Sequence, residues 1–102
     1  MHPSISLATL CSDDLSPYLN TTFKISGDQS RQSQVKLTEV TPFGRKIAGR
    51  RDQFSIVFSG TAGEVWPQRI YHLEHGELGT LELFLVPIST SATETRYEAV
   101  FA

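Results

Sequence analysis

From Thr22 onward, apolar side chains recur at every second residue. That spacing turns one face of an extended strand toward a core and the other toward water. Phe54, Ile56 and Phe58 alternate with Ser55, Val57 and Ser59, the cleanest case. Phe23 and Ile25 share a face ahead of a polar loop that begins at Gly27 and Asp28. Val35, Leu37 and Glu39 alternate with Lys36, Thr38 and Val40 until Pro42 and Gly44 end the run. Over residues 69–74, Ile70 and His72 take one face and Tyr71 and Leu73 the other. A final strand over 96–101 turns Tyr97, Ala99 and Phe101 the same way.

The segment 80–88 breaks the rule. Leu81, Leu83 and Leu85 form one apolar side, but Phe84 and Val86 make the opposite side apolar too. A strand buried on both faces needs a second layer, and residues 1–21 are the expected cover. Pro87 cannot donate to a ladder, so it marks a strand end or a bulge. The N-terminal residues have a different period. Leu7, Leu10, Leu15, Tyr18 and Leu19 stand at roughly helical spacing. Ser12 as cap, with Asp13 and Asp14 behind it, predicts one short helix near 12–19, which Pro17 limits or restarts.

Six strands with frequent turn signals and no βαβ alternation predict an all-β fold: a small six-stranded antiparallel barrel or sandwich with a short N-terminal helix. A barrel is favoured because closure removes exposed strand edges. The 102 residues suffice for one domain, with an N-terminal segment at 1–21 and a β-domain at 22–102. With 39 % hydrophobic residues, the body of the chain has enough apolar surface to fold.

Cys11 is the sole cysteine, so an internal disulfide is excluded. No run approaches the roughly 18 apolar residues of a membrane span, and Met1–Ser4 lacks the basic start of a signal peptide. The expectation is a soluble, cytoplasmic protein, with later assembly into a particle or secretion left open. The formal charge of −2 divides unevenly: residues 1–51 carry seven cations and four acids, residues 52–102 two cations and seven acids. In interleaved strands such halves pair across the sheet.

Four groupings bear on chemistry. His72, Glu74, His75 and Glu77 are weak candidates for zinc, but their spacing matches no closed ligand set, and no metal is expected. Arg45, Lys46, Arg50 and Arg51, flanked by glycines, form a basic stretch able to contact an anionic partner. No aromatic residue is interleaved and the chain is acidic overall, which argues against nucleic acid. Trp66 is either an exposed interface anchor or a plug at one end of the barrel. Nucleophilic catalysis has little support: no serine sits in a Gly-x-Ser-x-Gly elbow, and Gly60-Thr61-Ala62-Gly63 lacks the lysine of a phosphate loop.

The run Tyr71-His72-Leu73-Glu74-His75-Gly76-Glu77-Leu78-Gly79-Thr80-Leu81-Glu82-Leu83-Phe84-Leu85-Val86-Pro87-Ile88, with Tyr97-Glu98-Ala99-Val100-Phe101 after it, resembles a family of small bacterial domains of unknown function. Leu19-Asn20-Thr21-Thr22-Phe23 and Phe54-Ser55-Ile56-Val57-Phe58 fit the same pattern, so the likeness covers most of the chain. It implies one whole domain and an association with phage-tail-collar-like proteins, and it supplies no catalytic residues. The resulting expectation is a non-catalytic interaction or structural module without cofactor. It would be an accessory of a phage-tail-like or secreted assembly, docking to a protein or to itself. The alternative is a barrel that holds a small ligand.

Overall fold

Each period-two segment becomes a strand in the computed structural model, which describes residues 12–27, 31–43 and 53–101. The strands are β1 (Thr22–Ser26), β2 (Gln32–Pro42), β3 (Phe54–Gly60), β4 (Arg69–His75), β5 (Gly79–Thr90) and β6 (Thr95–Phe101). They close into a barrel in the order β1-β2-β3-β6-β5-β4, with every neighbouring pair antiparallel. The choice between barrel and sandwich thus falls to the barrel. The closing seam joins β1 to β4 through Lys24↔Glu74, Ile25↔Leu73 and Ser26↔His72.

Inward positions follow the alternation. Phe23, Ile25, Leu37, Phe54, Ile56, Phe58, Leu73, Leu81 and Leu85 have no solvent exposure, and Tyr71, Leu83, Tyr97, Ala99 and Phe101 join them in one cluster. Phe54 stacks on Phe101 across β3 and β6, with ring centroids 4.4 Å apart. A barrel of only six strands is narrow, so these side chains fill its interior.

Two segments depart from the simple alternation. A bulge between Leu37 and Glu39 shifts the pairing of β2 with β3. The extra residue turns Glu39 outward, off the face it would share with Leu37, and leaves Val40 half-buried. On β5 the expected second layer is missing among the described residues. Phe84 is 50 % exposed, so the strand is buried on one face only. The described N-terminal part, α1 (Ser12–Leu15) and a 3₁₀ turn over Ser16–Tyr18, lies against β2 and not over β5. Leu15 enters the core from there. Pro17 sits at the start of the 3₁₀ turn, where its missing N–H costs nothing. Asn20, at φ 67°, takes the left-handed bend that leads into β1, a conformation asparagine tolerates better than most residues.

Burial separates the two faces energetically. Ile56→Ala is expected to lower stability by about 2–5 kcal/mol. Phe84→Ala, on the outside, should change it by about 0.5 kcal/mol or less. Chemical denaturation measures both, and equal losses at the two positions would overturn the inside–outside assignment.

Candidate functional site

Strands β3 and β4 stand on opposite sides of the ring, with two strands between them in either direction. Their connection over residues 61–68 therefore has to cross the barrel's end, and Trp66 lies on that crossing. Its indole is 2 % exposed. The Trp66 backbone N–H donates to the Tyr97 hydroxyl at 3.0 Å, and that hydroxyl donates to the Glu64 carbonyl at 3.2 Å. The indole Nε1–H donates to the Glu64 carboxylate at 2.7 Å. Arg31 lies over the ring, 4.1 Å from its centroid, and donates to the Val65 carbonyl at 3.2 Å. Tyr71 meets the indole edge-on at 5.2 Å and donates to the Pro67 carbonyl. Trp66 is the plug at this end, and the exposed-anchor reading of it is set aside by its burial.

The indole N–H, the Ser33 hydroxyl and, less strongly, Arg31 hold the Glu64 carboxyl below its ordinary 4.5 against a partial desolvation. Burial pushes the Tyr97 phenol above its usual 10.0, opposed by its bond from the Trp66 amide. Both shifts favour the protonation states that the network uses at neutral pH.

The opposite end carries His75. Its Nδ1 accepts the backbone N–H groups of Glu77 at 3.0 Å and Leu78 at 3.3 Å, which closes the three-residue loop before Gly79. Gly79, at φ 91°, supplies the backbone turn there. With Nδ1 as acceptor, the proton is assigned to Nε2, which faces the Thr21 hydroxyl at 3.1 Å. The Thr21 hydroxyl in turn donates to the Tyr18 carbonyl at 2.5 Å. An imidazole protonated at Nε2 cannot take the threonine's proton, so this pair is a structural tie and not a nucleophile with its base. Tyr18 and Phe23 pack against the ring at 4.9 and 4.8 Å.

The four zinc candidates are therefore divided. His72 and Glu74 point outward from β4, while His75 points toward the barrel end with both ring nitrogens engaged. His72 faces Glu82 across the ladder at 3.7 Å. Among the described residues no three histidine, cysteine or acidic side chains converge on a metal position. The basic stretch at Arg45, Lys46, Arg50 and Arg51 lies outside the described residues, as does Cys11.

What remains is the outer surface. Ile70 and Phe84 are register partners on β4 and β5. Val86 pairs with Glu98 on β6, so Val100 lies on the same side, two residues beyond that pair as Phe84 lies two before it. Ile70 and Val100 are each 58 % exposed. The sequence pattern marks Phe84 and Val86 as needing cover. It singles out neither Ile70 nor Val100, although their alternation with Tyr71 and Ala99 already places them outside.

Fold and surface together define a closed antiparallel six-stranded barrel with a filled interior, a plugged end and an apolar outer face. The chain belongs to the family described as domain of unknown function DUF6916, which it matches over residues 10–101. No curated protein and no solved structure matches it. No helix among the described residues is long and apolar enough to cross a membrane.

The plug yields two expectations. A Cβ at Gly27 would stand 2.8 Å from Cζ3 of Trp66, closer than real contacts allow. Gly27→Ala should therefore lower stability and shift the emission of the sole tryptophan to the red, and unchanged emission would contradict the packing. The second concerns acid. Glu64 has a folded-state pKa below its unfolded value, so its ionisation contributes stability that is complete above pH 4.5 and is lost as pH falls through the lower folded value. The stability gap between wild type and Glu64→Gln should close on acidification over that window. A gap independent of pH would exclude the carboxylate as the anchor of the indole.

Proposed function

We propose that the domain is a non-catalytic docking module that engages a protein partner through the outer face of β4, β5 and β6. The observation that carries this reading is the exposure of Ile70, Phe84 and Val100 on one side of a barrel whose inner side chains are all packed. Large apolar side chains grouped on a surface mark interaction sites, because water contact there is costly and a partner relieves it. Among the described residues, strand addition finds no free strand, since closure gives each of the six a neighbour on both sides. The partner must come onto the face.

The small-ligand alternative finds no comparable support, because the positions that would line an internal chamber hold Phe23, Phe54, Phe58 and the leucines of β5. A phage-tail-like or secreted assembly is one setting for such a module, and the sequence resemblance alone suggests it. Nothing in the comparisons links the family to phage-tail proteins.

Site-specific photo-crosslinking in the producing cell tests the reading. A photoreactive phenylalanine analogue at position 84 should give one discrete adduct. The same analogue at exposed Thr22 or Lys36, on β1 and β2, should give none. Absence of any adduct from position 84, or an equal yield from all three positions, would overturn the proposal.

A further inference from the structure

We infer that the segment accepted by this face is cationic: an apolar anchor flanked by lysine or arginine, from another protein. The inference rests on the docking reading above and concerns what the partner must look like.

The charges around the patch decide it. Glu82 precedes Phe84 by two residues on β5 and shares its outward side. Glu98 stands on β6 with apolar neighbours on both flanks, Val86 on β5 and Val57 on β3. Glu74 lies further along β4. Arg69 opens β4 beside Ile70 and is exposed, and the other basic side chains of this surface are set against acids. Arg96 is paired with Glu39 across β3, Lys24 sits opposite Glu74 at the seam, and His72 faces Glu82. Glu82 and Glu98 outnumber Arg69 around Phe84, so the patch is apolar at its centre and net acidic at its rim.

That sign separates the possible occupants. A second copy placed face to face would bring Glu82 and Glu98 of both copies into one interface, and juxtaposed like charges disfavour such a complex. An anionic lipid surface would meet the same repulsion. A segment with cationic flanks meets complementary charge on the rim while its apolar side chain covers Phe84. The rim then sets selectivity and association rate, and the apolar centre supplies the anchor.

The test uses two labelled amphipathic peptides of about four helical turns with identical leucine positions, one with lysine on the polar face and one with glutamate. Fluorescence anisotropy with the intact domain should show the leucine/lysine peptide binding about tenfold tighter or more, the equivalent of about 1.4 kcal/mol. The preference should shrink as salt screens the rim. Phe84→Ser should weaken binding of that peptide about tenfold or more. The double variant Glu82→Gln/Glu98→Gln should remove most of the preference with the melting temperature unchanged, since both side chains face outward.

Equal binding of both peptides, lost in Phe84→Ser, would overturn the cationic inference and leave the docking surface standing. So would an adduct at position 84 whose captured segment carries no cations. Binding of neither peptide, binding indifferent to Phe84→Ser, or a dimer in light scattering that Phe84→Ser dissolves would each overturn the inference as well.

Discussion

The pairing of β1 with β4 makes this chain a barrel. It is a short seam of three residue pairs, Lys24↔Glu74, Ile25↔Leu73 and Ser26↔His72, between segments some fifty residues apart in sequence. Opened there, the sheet would end in two free strands, and the alternating pattern would describe two faces of equal standing. Closed, it divides every strand into an inside and an outside. The identity of the inward residues, the plugging of the ends and the availability of the outer face all follow from that closure. Non-local pairing of this kind is also slow to form, because the loop-closure entropy falls due before the contacts are made.

Closure leaves two open ends, and the chain stops them differently. At one end, Leu15 of α1 and the Tyr18–His75–Phe23 cluster cover the core, with His75 capping the β4–β5 loop through backbone N–H groups. At the other, the crossing from β3 to β4 carries Trp66 over the interior and holds it by hydrogen bonds at both its backbone and its indole nitrogen. Gly27 is the counterpart of that indole, since no side chain fits between it and the six-membered ring. Of the histidine cluster singled out in the sequence, His75 is accounted for by the first of these closures.

Much of the architecture was legible because strand pattern and core burial are the same signal. Phe54, Ile56, Phe58, Leu81, Leu83 and Leu85 lie buried together, as their spacing requires. The failures are equally physical. Alternation carries no mark of a bulge, so it puts Glu39 on the face of Leu37, although the inserted residue reverses it. The apolar outer side of β5 signalled a partner layer, yet the pattern does not say whether that layer belongs to the same chain. His72 and His75, three apart, fall on opposite faces of β4, in keeping with a spacing that matches no closed ligand set. The candidate surface was legible only in part. Phe84 stood out because its neighbours are apolar, whereas Ile70 and Val100 look ordinary in sequence and gain meaning from the register that assembles them around it.

The exposure of Phe84 contrasts with the treatment of Val57. By strand phase Val57 also points outward, between Ile56 and Phe58, yet it is 6 % exposed and lies outside the core cluster. The Arg96–Glu39 pair reaches across β3 beside it, and the hydrocarbon stems of such side chains can shelter apolar surface while their charges stay in water. The bulge on β2 is what brings Glu39 round to make that pair. The fold therefore contains a device for covering an outward apolar side chain and applies it on β3. On β4 and β5 the corresponding pair, His72 and Glu82, is a row away from Ile70 and Phe84 along the ladder and leaves both exposed. The difference between the two sites lies in the placement of charge. On one side of the barrel the charges close over an apolar residue, and on the other they frame an apolar group and leave it open.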